Sequence, residues 1–330
     1  MYFTGLDVHK AFTFGVIKDK EGVVLNKAKF DNSEENFEIF FKGFPPEETK
    51  VVMESTGVWE YIYEILDGKG FAIKLANPVR TKAIASARIK TDAIDASTLA
   101  DLLRADMIAE SYVPTKEVRR LRDVVRQRKT IVDGRTQVKN KIHAILIRQG
   151  VKLPYKSLGP KAINWLHDNI DINDILVSYF NLLEQYNNEL KFIKERIEAR
   201  AEKDEQAKLL MTIPGIGPIR AMEIIAEIAD IKRFPNSSKL CSYAGLVPSI
   251  KQSGNSLRHG TLIKQANKSL KNALIESSWA AVKTKEAHTL KLHYLRLKDK
   301  KCKQKAICAT ARKMLCVIHA MLTKKQEFTA

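Results

Sequence analysis

Hydrophobic and polar positions form short, separate patterns through the first hundred residues of the chain. Apolar runs bounded by turn residues predict strands at 2–8, 12–18, 23–30, 50–53 and 71–76. Apolar residues spaced three or four positions apart predict helices at 36–42 and 58–68, and good helix formers predict another at 96–104. Three strands in succession, followed by strands that alternate with helices, predict a mixed sheet with helices packed on it.

From residue 116 onward the pattern is mainly helical. Residues 116–148 predict a long helix that breaks near Gly134, and the glycines and prolines of 150–160 predict a hinge. Within 172–205, apolar residues at steps of three and four form one stripe: Ile175, Leu176, Tyr179, Leu182, Leu183, Tyr186, Leu190, Ile193 and Ile197. Such a stripe fits either an ordinary bundle helix or a coiled-coil segment that joins protomers. Residues 283–325 predict a basic pair of helices.

Charge is high and unevenly distributed. The 330 residues carry a net charge of +18, which indicates an anionic partner, most often nucleic acid. Residues 1–110 contain 14 Lys/Arg against 18 Asp/Glu, whereas the remainder has a net charge of +22. We therefore expect an acidic first domain that performs chemistry and basic later domains that bind nucleic acid.

Residues 1–7 already include a charge and do not resemble a secretion signal, and no apolar run predicts a membrane span. The four cysteines lack metal-ligand spacing and do not indicate a disulfide framework. These features predict a reduced, cytoplasmic protein without a membrane partner.

Four acidic residues stand at the ends of predicted elements. Asp7 ends the first strand, Glu54 follows the fourth, and Asp92 and Asp95 lie three positions apart on one face of a helix. Each acid alone has an ordinary explanation as a strand-end residue or as part of a solvated helix start. Jointly they predict a carboxylate pocket that binds Mg²⁺ or Mn²⁺, with two ions suited to phosphodiester displacement.

The segment 116–148 holds eleven Lys/Arg against three acids. A run of charge is usually a solvated face, but this ratio is too uneven for a face balanced by ion pairs, which favours phosphate contact. The arginines proposed for that contact are Arg119, Arg120, Arg122, Arg126, Arg128 and Arg135. The charge pattern does not distinguish DNA from RNA.

Two loops in the last third are further candidates for phosphate contact. Residues 210–218 (LMTIPGIGP) resemble a helix-hairpin-helix element, in which Gly215 and Gly217 would let backbone N–H groups approach a phosphate; a plain helix–helix turn is the alternative. The second loop contains Ser253, with Lys251, Arg258 and Lys264 nearby. No acid lies within ten residues of Ser253, so a base or metal that activates its hydroxyl must come from elsewhere.

Three motifs carry a family resemblance: residues 5–10 (GLDVHK), 53–57 (MESTG) and 90–96 (KTDAIDA). They resemble the DEDD transposases of the insertion-sequence 110 family, which includes the Piv-type invertases. The family's first domain is similar to the Holliday junction resolvase RuvC and has a ribonuclease H-like fold. The resemblance implies that Asp7, Glu54, Asp92 and Asp95 form the catalytic, metal-binding tetrad, and it assigns no chemistry to His9 or Lys10.

The segment around Ser253-Gly254 resembles the second conserved block of the same transposases, where the serine acts as nucleophile. Gln265-Ala266-Asn267 replaces the customary Gly-Asn of that block, and Ser249 is the second candidate nucleophile. The resemblance further implies a bridge RNA that pairs with donor and target DNA. It favours the coiled-coil interpretation of the 172–205 stripe, and we expect a homo-oligomer, dimer or tetramer.

The sequence thus predicts three parts: a RuvC-like DEDD domain (1–115), a basic helical and coiled-coil region (116–205), and a mostly helical transposase domain with the serine (206–330). The expected function is transposition by metal- and serine-dependent cleavage and rejoining of DNA. Alternatives are a RuvC-like structure-specific endonuclease, a DNA invertase of the same family, or a nucleic-acid-binding scaffold with an inactive site. Covalent trapping on Ser253 would separate the recombinase from the endonuclease, and a missing acid would mark the scaffold.

Overall fold

The computed structural model describes residues 1–85, 91–171, 173–253, 256–285 and 288–329, with the side chains of 250–253, 256, 257 and 259 left out of the description. These residues form two compact units, Met1–Val113 and Pro114–Ala330.

The first unit is a mixed sheet with helices. Its elements are β1 (Tyr2–Val8), β2 (Phe12–Lys18), β3 (Val24–Asp31), α1 (Glu34–Phe40), β4 (Thr49–Glu54), α2 (Trp59–Gly68), β5 (Ala72–Ala76), α3 (Pro78–Ile84) and α4 (Asp92–Arg104). The strand order is β3-β2-β1-β4-β5; β1 is antiparallel to β2 and parallel to β4, and β4 is parallel to β5. The predicted mixed sheet is confirmed, and its order is consistent with an α/β domain of the ribonuclease H-like kind.

The central strands β1 and β4 are buried on both faces. Leu6 and Met53 point to one face and pack in a core cluster with residues of α1 and α2, whereas Phe3 and Val52 point to the other and pack with Leu99 and its neighbours on α4. Because both faces are covered, β4 reads as a continuous apolar run instead of alternating with polar residues.

The second unit is mostly helical. Its elements are α5 (Lys116–Arg148), α6 (Pro160–Asn169), α7 (Asp174–Ala201), α8 (Glu205–Met211), α9 (Pro218–Ile228), α10 (Ser237–Tyr243), β6 (Pro248–Ser253), β7 (Ser256–Leu262), α11 (Lys268–Val282), α12 (Thr289–Lys298) and α13 (Lys303–Lys324). The antiparallel hairpin of β6 and β7 was not foreseen, because its residues show no alternation of apolar and polar positions.

The expected break at Gly134 is wrong, since α5 continues through it without interruption. A Cβ atom at Gly134 would lie 2.7 Å from the hydroxyl oxygen of Tyr186 on α7. The glycine therefore permits close packing of α5 and α7, and the surrounding helix-forming residues keep α5 helical despite the cost of an internal glycine.

The apolar stripe of α7 packs inside its own chain. Leu176 and Leu183 join one core cluster with residues of α5, and Ile197 joins another. Ile175 and Leu182, which the stripe included, are exposed instead. The bundle-helix alternative describes this packing, and a coiled coil between protomers stays a prediction.

One core cluster combines residues from both sides of position 205, including Leu121, Ile197 and Leu210. The division of the chain into 1–115, 116–205 and 206–330 therefore stays a prediction. Helix α13 has the length and apolar composition of a membrane span, which the sequence analysis overlooked. Half of its apolar stretch is buried inside the fold, as in a core helix.

Candidate active site

Three of the chain's potential metal ligands meet at the carboxyl end of β1. His9 Nε2 lies 3.1 Å from Asp7 Oδ2 and 3.4 Å from Asp92 Oδ1, and one ligand atom from each of the three residues lies within 4.8 Å of the others. Asp95 follows Asp92 one helical turn later, and its negative charge acts on Asp7. Glu54 ends β4, which pairs with β1 in parallel, but it is not part of this 4.8 Å group.

Helix α4 carries two of the acids, and specific contacts seat it on the sheet. A Cβ atom at Gly5 would lie 2.0 Å from the carbonyl oxygen of Ala96, so only glycine allows α4 to lie directly on β1. On β2, the buried Lys18 ammonium donates a hydrogen bond to Asp101 Oδ2 at 2.6 Å. The Thr91 hydroxyl accepts a backbone hydrogen bond and caps the first turn, which begins at Asp92. Together these contacts hold Asp92 beside Asp7.

In the described part of this cluster, acids outnumber the one basic group, His9. Burial raises the pKa of the Asp7 carboxyl; His9 lowers this pKa in part, and the charges of Asp92 and Asp95 raise it again. The Asp7 side chain is 19% exposed and that of Asp92 is 42% exposed, which leaves room for water or phosphate ligands. Hard carboxylate oxygens with one imidazole nitrogen therefore fit a divalent cation such as Mg²⁺ or Mn²⁺.

In the second unit, arginines match the charge of a buried carboxylate. We call this group the Glu227 cluster; it comprises Glu227, Arg122, Arg126 and Asn267. Glu227 on α9 is 1% exposed, and Arg126 donates to its two carboxylate oxygens at 2.8 and 2.9 Å. Asn267 Nδ2 donates to Glu227 Oε2 at 2.7 Å, while Arg122 Nε donates to the carbonyl of Ala226 at 2.7 Å. Burial alone would raise the pKa of Glu227, but hydrogen bonds from Arg126 and Asn267 and the arginine charges lower it below its ordinary value.

Four of the six arginines predicted to contact phosphate have partners within the protein, and their contact with phosphate stays a prediction. Arg122 and Arg126 belong to the Glu227 cluster, Arg128 pairs with Glu223 at 3.2 Å, and the buried Arg119 donates to the carbonyl of Pro114 at 2.7 Å. The ratio of basic to acidic residues within 116–148 counts only the acids of that segment. The partners of Arg126 and Arg128 come from α9, about a hundred residues later.

Arg120, Arg135 and Lys139 are among the cations of α5 that remain available on or near the surface. Arg120 is exposed. Arg135 and Lys139 stand one turn apart and are half-buried, and Arg135 Nη1 donates to Asn187 Oδ1 at 3.4 Å. Burial lowers the pKa of Lys139, and the charge of Arg135 lowers it further. Within the described part of the chain neither of these two cations forms a salt bridge with a carboxylate.

The two glycines of the 210–218 loop differ in their surroundings. Gly215 has φ +89°, and a Cβ atom there would lie 2.4 Å from the amide nitrogen of Ala281. The close approach that Gly215 permits is to helix α11, and contact of this loop with phosphate stays a prediction. Gly217 is exposed at the start of α9, with no atom within 4 Å of the Cβ position.

Ser253 is the last residue of β6, and its backbone pairs with Ser256 of β7, so it stands at the tip of the hairpin. The side chains of Ser253 and Lys251, and all of Gly254, lie outside the described residues. Arg258 and Lys264 are exposed.

The second candidate nucleophile, Ser249, faces the opposite strand of this hairpin. A Cβ atom at Gly260 would lie 2.4 Å from Ser249 Oγ. The hydroxyl of Ser249 thus packs over β7 within the hairpin.

The base of this hairpin is joined to the Glu227 cluster. The amide of Ile263 donates to the carbonyl of Val247 at 3.1 Å, and the amide of Asn267 donates to the carbonyl of Tyr243 at 2.8 Å. Asn267 Nδ2 also donates to the Tyr243 hydroxyl at 2.9 Å. Sequence reasoning noted Asn267 only as a departure from a motif. The signal for its role was Glu227, one of two acids on the mainly apolar helix α9.

Comparisons with known proteins agree with this site. A family model of DEDD transposases of the IS110 type matches residues 4–149, which include all four predicted acids. A second model, described as Transposase IS116/IS110/IS902 family, matches residues 207–294, which include Ser253.

Similar curated proteins include two transposases and a gene-inverting protein. The transposase for insertion sequence element IS1111A of Coxiella burnetii is 25% identical over 84% of this chain and 79% of its own length. The transposase for element IS1328 of Yersinia enterocolitica is 24% identical over 82% of this chain and 81% of its own. The pilin gene-inverting protein of Moraxella bovis is 31% identical over 41% of this chain and 42% of its own. The chain belongs to the IS110 family of DEDD transposases, enzymes that cleave and rejoin DNA.

Proposed function

We propose that this protein excises and inserts its own insertion sequence by metal- and serine-dependent strand exchange, and that its first domain is RuvC-like. The observation that carries the proposal is the convergence of Asp7 and Asp92, with Asp95 one turn away, at the end of β1. These acids lie in the part of the chain that matches the DEDD transposase model.

In this proposal Asp7, Glu54, Asp92 and Asp95 hold two Mg²⁺ or Mn²⁺ ions. Bound divalent ions would neutralise the charge that develops on the phosphate oxygens. The protein's own contribution is to fix the acids in place: parallel pairing sets the ends of β1 and β4 side by side, and Gly5 lets α4 bring Asp92 close. Burial is the main cause of the raised pKa of Asp7, and the charges of Asp92 and Asp95 add to it; a bound cation would offset both.

Ser253 Oγ is the proposed nucleophile. It forms an O–P bond with the scissile phosphate while a bridging P–O bond of the DNA strand breaks. The proton that the serine gives up is balanced by the proton that the released sugar oxygen takes up. The free sugar hydroxyl of another strand then attacks the phosphoserine bond, and the serine regains its proton. Support for this role is the match of residues 207–294 to the family model and the exposed cations Arg258 and Lys264 near the hairpin.

Nucleic acid would bind through Arg120, Arg135 and Lys139 on α5, through Arg258 and Lys264 near the serine hairpin, and at Gly217. DNA ends and target, together with a bridge RNA, are the proposed ligands. In this proposal the protein forms a homo-oligomer, either a dimer or a tetramer. It associates with the nucleoid in the cytoplasm. The unpaired cations of α5 support the binding surface.

Charge reversal separates binding from folding on α5. Arg120→Glu should weaken nucleic-acid binding to many sequences alike and reduce the slope of log affinity against log salt by about 1. Arg126→Glu places a second carboxylate against Glu227 and should unfold α5 and α9 instead. Salt-dependent affinity, circular dichroism and sequencing of copurified RNA test these points. Salt-independent binding would contradict the proposal.

A recombination assay tests the chemistry. Asp92→Ala and Ser253→Ala should each abolish strand exchange while leaving binding to DNA intact. Denaturing the wild-type reaction should trap DNA on Ser253, and mixing the two variants tests whether the acids and the serine act from different protomers. If Ser253→Ala still cleaves DNA and no covalent complex forms, a RuvC-like nuclease that uses water is the better description.

A further inference from the structure

The loop after β1 places an imidazole between two acids of the proposed metal site. His9 Nε2 lies 3.1 Å from Asp7 Oδ2 and 3.4 Å from Asp92 Oδ1. Ligand atoms at neighbouring positions around one octahedral ion lie about 3 Å apart, given bonds of about 2.1 Å. These two distances are compatible with ligands that share one ion, and the shorter one is a hydrogen bond between His9 and Asp7 while no ion is bound.

The position of His9 is set by its surroundings. Its amide donates to the carbonyl of Phe12 at 2.9 Å, and Asn32 Nδ2 donates to the carbonyl of His9 at 2.7 Å. Asn32 is held in turn by the hydroxyl of Thr13, which donates to its Oδ1 at 2.6 Å. The imidazole stacks on the Phe12 ring at 4.6 Å between centroids. These contacts fix the backbone of the loop and one face of the imidazole ring.

We propose that His9 is a ligand of the divalent ion that Asp7 and Asp92 bind, and that it supplies the nitrogen in a donor set of oxygens. The inference rests on the proposed metal function and deepens it. Imidazole nitrogen binds first-row transition ions such as Mn²⁺ more readily than it binds Mg²⁺, which prefers oxygen and water. His9 consequently tunes the site toward Mn²⁺.

A competing arrangement predicts the opposite result. If His9 is only a counter-ion that pairs with the two carboxylates, it must leave before a metal ion can bind. Its removal would then leave the affinity for Mn²⁺ unchanged or raise it. The sign of the change in affinity therefore decides between a ligand and a competitor.

The test uses full-length protein and its affinities for Mn²⁺ and Mg²⁺, measured by calorimetry and competition. His9→Ala should weaken Mn²⁺ binding by at least about tenfold, since even outer-shell partners of a ligand are worth about 10–100-fold in metal affinity. Mg²⁺ binding should change much less. Lys10→Ala, in the next position of the same loop, is the matched control and should retain wild-type affinity for both ions.

A spectroscopic measurement keeps the inference testable if His9→Ala disturbs the loop. Pulsed electron paramagnetic resonance of the Mn²⁺-loaded wild type should show coupling to a histidine nitrogen, and His9→Gln should lose that coupling while still binding Mn²⁺. Equal or tighter Mn²⁺ binding by His9→Ala, or Mn²⁺ bound without nitrogen coupling in the wild type, overturns the inference. If the wild type binds no Mn²⁺ and Asp92→Ala changes nothing, the proposed metal function itself fails.

Discussion

Two clusters in this protein are built around carboxylates but differ in how far neighbouring cations balance the carboxylate charge. At the end of β1, Asp7, Asp92 and Asp95 face one imidazole. In the second unit, the Glu227 carboxylate accepts two hydrogen bonds from the Arg126 guanidinium and one from the Asn267 side-chain amide. Burial disfavours the charged carboxylate in both places, yet the pKa of Asp7 is raised and that of Glu227 is lowered. The matched cluster holds helices together, whereas the unmatched one is left ready for a cation.

The largest effect should follow from breaking the matched cluster. Glu227→Ala leaves the guanidinium of Arg126 without its carboxylate, and because the Arg126 side chain is 52% exposed we expect the free energy of unfolding to fall by about 3 kcal/mol, the lower end of the range for buried pairs that lose one partner. Urea unfolding, with hydrogen exchange in α5 and α9, measures the change. Glu117→Ala removes an exposed pair with Arg200 and is the control that should change little. Equal losses in the two variants would contradict the comparison.

The next effect concerns the packing of α4 on β1, which places Asp92 in the unmatched cluster. Gly5→Ala puts a Cβ atom against the backbone of Ala96 and Ala100, neither of which can move without shifting the helix. We expect a loss of about 1–3 kcal/mol in the free energy of unfolding and weaker Mn²⁺ binding, because Asp92 moves away from Asp7. Gly68→Ala, where nothing lies within 4 Å of the Cβ position, is the matched control. Normal metal binding by Gly5→Ala would show that this contact does not set the site.

A smaller effect of opposite sign is expected at Asp7. Asp7→Asn removes a half-buried charge from a cluster whose described members are three acids and His9, so the metal-free protein should gain about 0.5–2 kcal/mol, as functional sites often do when a required charge is lost. The same variant should lose Mn²⁺ binding and strand exchange. Thermal unfolding in chelator and a recombination assay check both. A less stable Asp7→Asn variant would mean that His9 already compensates the charge.

The smallest expected effect is the change with pH of the stability differences between these variants and the wild type. The folded pKa of Asp7 is raised, so its contribution to stability is present below the unfolded pKa and is lost as pH rises through the folded pKa. The folded pKa of Glu227 is lowered, so its contribution is present above the unfolded pKa and is lost as pH falls through the folded pKa. On acidification, the stability advantage of Asp7→Asn and the disadvantage of Glu227→Gln should both shrink. Unfolding curves from neutral to acidic pH measure both differences in stability. If the wild type, Asp7→Asn and Glu227→Gln all change in parallel, the pKa directions given for Asp7 and Glu227 are refuted.

Local patterns were enough to locate most of the first unit. Each of its five strands lies within about a residue of its prediction, because the apolar runs and turn residues that define a strand are neighbours in sequence. The placement of Asp7 and Glu54 at strand ends followed directly from those boundaries. Helix α3 and the β6–β7 hairpin were missed, since their sequences have no clear periodicity.

What the sequence by itself determined, therefore, is where acids stand relative to strands and helices, together with the order of motifs that marks the family. Only the tertiary structure decided which charges are satisfied. The partners of Arg126 and Arg128 lie 101 and 95 positions away, and Gly134 and Gly215 permit contacts with distant helices. Net charge counts residues, but an ion pair depends on which helices pack together. The same limit hid His9, whose place between Asp7 and Asp92 exists only because α4 folds back onto β1.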